Sequence, residues 1–160
     1  MATPGTNGYL LGGDHLGRDI LSRLLAGARL SLTVGFLPVV MAVGFGLFFG
    51  LAAGYYGKRV DMVISRGIEI VLAFPSILLA IGIVSALGPG LDHALLAIVI
   101  VAIPSFARIV RGTVVSLREL EYVHAARMCG ASDFRIITKH IVPNCMAPII
   151  VFSKIGRAHV

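Results

Sequence analysis

The sequence predicts an all-α fold, a polytopic bundle of transmembrane helices. Of its 160 residues, 57% are hydrophobic and only 14% are charged, whereas soluble domains have about 45–50% apolar and about 25% charged residues. The mean hydropathy is +0.91. Two long stretches, 30–57 and 70–91, contain no Asp, Glu, Lys or Arg. Because a helix needs about 20 apolar residues to cross the hydrocarbon of a membrane, each stretch predicts a crossing.

The first predicted span covers residues 30–55 and contains regularly spaced glycines. Gly46, Gly50 and Gly54 recur at every fourth residue, so they share one face of a helix and allow another helix to approach closely. We therefore predict a helix-packing seam on this face and expect a leucine at Gly50 to weaken the association of subunits. The alternative is that these glycines merely loosen the helix.

Two further spans are predicted at 68–87 and 91–110, with a turn between them. The Gly-Pro-Gly sequence at 88–90 favours a turn, because glycine allows positive φ and proline fixes its own φ. Beyond the third span, the polar segment 111–143 carries charges of both signs. The apolar stretch 144–154 that follows is too short to cross, so we expect a partial fourth span and a truncated bundle.

Basic residues flank the predicted spans mainly on one side, and the positive-inside rule makes this side cytoplasmic. The segment 111–143 is then cytoplasmic and the turn at 88–92 external. Residues 1–29 are expected to form an external amphipathic segment, although their arginines fit the rule poorly. Residues 155–160 match the translation of a common sequencing adapter, so they are expected to be a non-native tail. The cytoplasmic cations are Lys58, Arg59, Arg66, Arg108, Arg111, Arg118, Arg127, Arg135 and Lys139.

No pattern in the sequence indicates a catalytic residue, a metal site or a cofactor. A phosphate-binding loop around Gly57 and Lys58 would need glycine at Ala52 and a hydroxyl residue at Arg59. The histidines lack the spacing of metal ligands, and no side chain has the setting of an activated nucleophile. The net charge of +6 lies at the ends of the spans and not in an aromatic-containing patch, so no nucleic-acid partner is predicted.

The polar segment contains the most informative pattern. Residues 119–129 can form a helix, and Gly130 can end it in the left-handed conformation. Ser132 or Asp133 can then cap a second helix that runs to about residue 141. We predict a short helix-turn-helix on the cytoplasmic face, with small residues beside the turn that let another protein approach. These small residues are Ala125, Ala126 and Ala131.

This segment resembles the EAA loop of bacterial ABC permeases that depend on binding proteins. Ala125, Ala126 and Gly130 have the spacing of that loop, and Pro143 follows it. Other motifs are similar to those of the C-type permease subunits of dipeptide, oligopeptide and nickel importers, and together they span most of residues 11–152. These motifs are Leu11 to Arg23, Gly27 to Leu32, Tyr55 to Gly57, Ala73 to Ser76 and His140 to Asn144.

The resemblance implies the fold of a type I ABC importer permease over residues 30–154, with 111–143 as the coupling loop. It implies a solute pathway shared with a second permease subunit in a bacterial or archaeal plasma membrane. The other partners it implies are two ATP-binding subunits, an external solute-binding protein and the membrane lipid. The candidate ATPase-coupling residues are Glu121, His124, Ala125, Ala126, Gly130, Ala131, Ser132 and Asp133.

The chain departs from the family pattern at two positions. His124 stands where the loop has its glutamate, and Gly13 stands where a threonine is common. The charge of a histidine near neutral pH depends on its surroundings, so the strength of coupling can differ from the family pattern. Glu121 lies at a different helical position and does not replace the family glutamate.

Two other functions fit a membrane bundle: a passive channel, and an interaction protein without a transport role. A channel should show repeated polar or charged residues within its spans, and none occurs in this sequence. A scaffold would not require a shaped turn flanked by alanines at the membrane surface. The transported solute is not evident, because in such importers it depends largely on the external binding protein.

Single cysteines at Gly90 and Ser116 test this topology, in a variant that lacks Cys129 and Cys145. We expect an impermeant thiol reagent to label the two positions from opposite sides of the membrane, because one predicted crossing separates them. Labelling of both positions from the same side would contradict the predicted number of spans.

Overall fold

The computed structural model describes residues 11–12, 14 and 18–155, and helices contain nearly all of them. The expectations for Gly13 and for residues 156–160 of the tail therefore fall outside the described part. The all-α prediction is confirmed. The helices are α1 (Ile20–Tyr56), α2 (Lys58–Leu72), α3 (Ser76–Leu87), α4 (Leu91–Arg118), α5 (Glu121–Met128), α6 (Asp133–Ile136) and α7 (Val142–Ile155), with a π-helical turn (Ile137–Ile141) before α7.

The chain divides into two compact units, Met1–Leu37 and Pro38–Val160, and α1 begins in the first and ends in the second. In the first unit, the carboxylate of Asp14 accepts a hydrogen bond from the Arg23 guanidinium at 2.8 Å. This ion pair does not remove the conflict of the N-terminal arginines with the positive-inside rule, because acidic residues count little in that rule.

Asp19 stands at the start of α1 and stabilises its first turn. Its carboxylate accepts hydrogen bonds from the Ser22 hydroxyl at 2.6 Å and from the Ser22 backbone N–H at 3.2 Å. Because hydrogen bonds to the charged form favour ionisation, the Ser22 hydroxyl lowers the pKa of Asp19. The negative charge also lies at the positive end of the helix dipole.

In the second unit, the three regularly spaced glycines bring α1 and α4 into close contact. A Cβ atom built at each glycine would lie only 2.5–2.7 Å from the Cβ of an α4 residue, closer than real side chains allow. The α4 residues also recur every fourth position, so two matching ridges meet along both helices. The sequence analysis expected a leucine at Gly50 to weaken the association of subunits; in the structure, this face packs against a helix of the same chain. The pairs are Gly46 with Phe106, Gly50 with Val110 and Gly54 with Val114.

The predicted span 68–87 differs from the structure, which has two helices bent by 88° at this place. The break lies at Pro75, whose ring lacks an N–H donor and disfavours a helical conformation for Phe74. Helix α2 begins directly after Gly57, which has a φ of 61°. Each helix of the bent pair is shorter than the about 20 residues that a crossing needs.

The boundaries of the last two spans also differ from the sequence-based ones. Helix α4 continues to Arg118, and a helical stretch of 21 residues, Asp133–Ser153, is long and apolar enough to cross a membrane. The sequence analysis assigned the beginning of this stretch to the polar loop 111–143 because of its charges, and a proline such as Pro143 would interrupt an ordinary α-helix. The π turn removes that interruption, since the Val142 N–H donates to the Ile137 carbonyl five residues earlier.

Three helical stretches among the described residues are long and apolar enough to span a membrane, and the bent pair α2–α3 makes a fourth if it counts as one span. Large apolar side chains are exposed on these helices, including Phe48 (66%), Val63 (72%) and Ile77 (72%). Such exposure suits a hydrocarbon surrounding and would be unfavourable in water. The buried core joins α1, α4, α5, α6, the π turn and α7 through Tyr55, Val110, Val123, Ile136, Ile141 and Cys145.

Substitution of Gly50 by leucine tests the contact between α1 and α4. Its Cβ would lie 2.5 Å from the Val110 Cβ and 2.7 Å from the Ala107 carbonyl oxygen, so the backbones must separate. We expect a loss of stability of about 3 kcal/mol, at the upper end for overpacked cores, measured by thermal unfolding in detergent. The matched control is Gly44→Leu on the same helix, where nothing lies within 4 Å of the added Cβ. Equal stability of both variants would show that the two helices do not pack in this way.

Candidate functional site

The predicted helix-turn-helix consists of α5, a turn at Gly130 and α6. Gly130 has a φ of 79°, its N–H donates to the Arg127 carbonyl at 3.0 Å, and the Ala131 N–H donates to the Ala126 carbonyl at 3.1 Å. This pair of hydrogen bonds is the Schellman motif, which ends a helix with a left-handed residue. The turn therefore has a defined geometry that depends on a residue tolerating positive φ.

Ala126 and Ala131 form the apolar part of this turn. Both are half-buried and pack against the core of the chain, as expected for the residues that a Schellman motif brings together. The sequence assigned them to a surface for another protein. In the structure only Ala125, of the three alanines, is exposed.

Ser132 and Asp133 begin the second helix, and Ser132 is the residue that caps it. Its hydroxyl accepts a hydrogen bond from the Arg135 backbone N–H at 3.4 Å. Asp133 occupies the first turn, where a negative charge is favourable. The helix does not end near residue 141 as predicted, because the π turn continues it into α7.

The outer surface of the helix-turn-helix combines polar and apolar side chains. The exposed members of the predicted set are Glu121, His124, Ala125, Gly130, Ser132 and Asp133. Two large apolar side chains on either side of the turn are also exposed, Met128 at 89% and Phe134 at 77%. Sequence reasoning did not select these two residues, although their apolar character in a polar segment was the available signal. Exposed apolar side chains of this size are typical of interaction surfaces.

A buried tyrosine connects the end of α1 to both helices of this site. The Tyr55 hydroxyl donates to the Asp133 carboxylate at 2.6 Å and accepts from the Arg127 guanidinium at 3.4 Å. The Arg127 guanidinium also lies 5.9 Å from the centre of the Tyr55 ring, within the range of a cation–π interaction. The hydrogen bond to Tyr55 raises the pKa of Arg127.

Two further arginines join helix ends next to the site. The Arg111 guanidinium makes two hydrogen bonds to the Asp61 carboxylate, which also accepts from the Ser65 hydroxyl at 2.9 Å. These contacts join α4 to α2. The Arg118 guanidinium donates to the Gly54 carbonyl at 3.0 Å and thereby satisfies the C-terminal end of α1. The sequence analysis used both arginines only as cations for the positive-inside rule.

The carboxylates, guanidiniums and hydroxyls of Asp61, Ser65 and Arg111, and of Tyr55, Arg127 and Asp133, are paired within each group. Within that part of the chain, no three His, Cys, Asp or Glu side chains lie together in a group that could hold a metal ion. The contacts join the end of α1 to the exposed turn through Tyr55, to α4 through Arg118, and α4 to α2 through Arg111.

Comparison with known proteins places these features in a family. Residues 46–157 match the sequence profile of the family described as binding-protein-dependent transport system inner membrane component. The dipeptide transport system permease protein DppC of Alkalihalophilus pseudofirmus is 57% identical over 148 residues, which are 92% of this chain and 49% of that protein.

Two other relatives carry related names. The DppC protein of Haemophilus influenzae is 44% identical over 95% of this chain and 52% of its own length. The glutathione transport system permease protein GsiD of Pectobacterium atrosepticum is 43% identical over 96% of this chain and 52% of its own length. The chain spans about half the length of the curated relatives it matches.

The contact between Asp61 and Arg111 can be tested by a double-mutant cycle. We expect Asp61→Asn and Arg111→Gln each to lower stability by about 1–2 kcal/mol. This is less than the about 3–5 kcal/mol for breaking a fully buried pair, because both side chains keep partial exposure. The double variant should lose less than the sum, as measured by thermal unfolding in detergent.

The control is the Arg66–Glu69 pair on α2, whose side chains are 78% and 56% exposed. Neutralising it by Arg66→Gln and Glu69→Gln should change stability by no more than about 0.5 kcal/mol. Additive losses at Asp61 and Arg111 would show that these two side chains do not stabilise the chain through their contact.

Proposed function

We propose that this chain, which belongs to the family of inner membrane components of binding-protein-dependent transport systems, acts as a permease subunit of an ATP-driven peptide importer. It is a multi-pass protein of the plasma membrane, since the family consists of inner membrane components and the chain has several helices of membrane-spanning length. The observation that carries the proposal is the 57% identity, over 92% of the chain, to a protein named as a dipeptide transport permease.

The names of the relatives support peptides as the class of solute. Two of those described above are named for dipeptides and one for glutathione, itself a short peptide. Nickel, the other solute class of the sequence resemblance, appears in none of these three names. We therefore propose di- or oligopeptides as the solute.

The helix-turn-helix is the proposed contact for ATPase subunits. It follows α4, and its second helix α6 begins the stretch Asp133–Ser153, which like α4 is long enough to cross the membrane, so a force on the turn acts directly on two crossing helices. Its Schellman turn and buried Val123 and Ile136 give it a defined shape. A rigid element of this kind can transmit a displacement as rigid-body movement.

The proposed partners follow from this arrangement. Two ATP-binding subunits would dock on the exposed surface around Glu121, His124 and Gly130, and a second permease subunit would complete the solute pathway. An external binding protein would deliver the peptide, as the description of the family implies. In this scheme the chain itself hydrolyses no ATP.

Substitution of Gly130 tests the function and the role of the turn in one experiment. A full-length subunit that carries this segment is reconstituted with its ATPase, partner permease and binding protein, and ATP hydrolysis and uptake of a labelled dipeptide are measured. We expect Gly130→Val to lower both severalfold while membrane abundance stays unchanged. A β-branched residue at φ 79° costs at least about 1–2 kcal/mol and would reorient α6.

Gly130→Asn is the matched control, because asparagine tolerates the left-handed conformation and a Cβ here would touch nothing within 4 Å. His124→Ala should have a smaller effect than Gly130→Val. If Gly130→Val keeps full coupling and His124→Ala abolishes it, a side-chain contact and not the turn transmits the signal. If the unaltered assembly takes up the dipeptide without ATP, the subunit is a passive permease.

A further inference from the structure

Tyr55 has no assigned role in the proposed function, although it contacts the helix-turn-helix. Its side chain is buried, with 7% of its surface exposed, and its hydroxyl is hydrogen-bonded to Arg127 and Asp133. Arg127 lies in the last turn of α5 and Asp133 in the first turn of α6. A single hydroxyl therefore binds both helices of the helix-turn-helix, one on each side of Gly130.

The backbone of Tyr55 belongs to the C-terminal end of α1, which α4 holds in place. The last turn of α1 packs against α4 at Gly54, and the Arg118 guanidinium binds the Gly54 carbonyl at 3.0 Å. Tyr56, which follows Tyr55 in the sequence, is 58% exposed. Its ring contacts the Tyr55 ring edge-on, with ring centres 5.4 Å apart. Tyr55 thus connects the junction of α1 and α4 to the helix-turn-helix, which is the element that moves in the proposed mechanism.

We propose that Tyr55 is a positioning residue that couples the helix-turn-helix to α1. This inference rests on the proposed function and adds a third membrane helix to the two that the chain connectivity already joins to the turn. Without the hydroxyl, the turn would still be attached to α4 and α7 through the backbone. Its displacement would no longer be passed to α1 by a directional contact.

The chemistry of the contact separates this role from a purely structural one. Tyr55→Phe keeps the ring in the core and removes only the hydroxyl. Asp133 is exposed, so water replaces the lost hydrogen bond and no buried group is left without a partner. The variant should therefore fold and insert normally while the orientation of α5 and α6 becomes less restricted.

The test compares Tyr55→Phe with Tyr56→Phe, the same chemical change at the exposed neighbour. In the reconstituted transporter, Tyr55→Phe should lower the amount of dipeptide taken up per ATP hydrolysed severalfold. Membrane abundance, ATPase copurification and the Tm should stay unchanged. Tyr56→Phe should match the unaltered protein. Loss of ATPase copurification or of stability in Tyr55→Phe would overturn the inference, because it would indicate a structural role.

A second measurement does not depend on transport. Hydrogen exchange of the amides at 121–136 should become severalfold faster in Tyr55→Phe and remain unchanged in Tyr56→Phe. Asp133→Ala should accelerate exchange by a similar factor, and the double variant Tyr55→Phe with Asp133→Ala should add little more. Unchanged exchange in Tyr55→Phe would overturn the positioning role even if the importer works as proposed. Faster exchange in an assembly without ATP-driven uptake would contradict the proposed function alone.

Discussion

The close approach of α1 and α4 is the constraint on which the second unit depends. Three glycines allow the backbone of α1 to lie directly on the side chains of α4, and no residue with a Cβ atom could stand in their place without moving a helix. In a membrane the surrounding lipid is as apolar as the side chains, so association relies on this kind of dense packing more than on the hydrophobic effect. The contact also determines where the end of α1 lies, and with it the position of Tyr55.

Polar contacts are concentrated where these helices end. Arg118 binds the last carbonyls of α1, Arg111 joins α4 to Asp61, and Tyr55 reaches the exposed turn. The two arginines satisfy partners that would otherwise be poorly solvated at the edge of an apolar bundle, whereas the Asp133 carboxylate that Tyr55 reaches is exposed. Apolar packing along the helices and hydrogen bonds at their ends thus stabilise the same helix junction.

Local patterns in the sequence predicted the all-α membrane fold, the glycine face and the turn at Gly130, because each depends on residues only a few positions apart. The contacts between distant residues were not predictable in this way. Tyr55 and Asp133 are separated by 78 positions, and Asp61 and Arg111 by 50, and no period or spacing in a single sequence links such pairs. The bend at Pro75 was visible as a proline, but a proline in a membrane helix is compatible with a gentle kink as well as with an 88° break.

The π turn before α7 has a consequence for the alignment of buried residues along this stretch. Ile136 and Ile141 are five positions apart across the turn, whereas Ile141, Cys145 and Ile149 follow at intervals of four. These four buried side chains form one stripe along the helical stretch. The π turn therefore acts as a one-residue insertion that keeps this stripe facing the core. Deleting one residue within 137–140 would keep the same stripe facing the core, but Pro143 would then stand in an ordinary α-helix, where its ring clashes with a carbonyl of the preceding turn. The same deletion within α7 would rotate every later side chain by about 100° and turn the stripe away from α4.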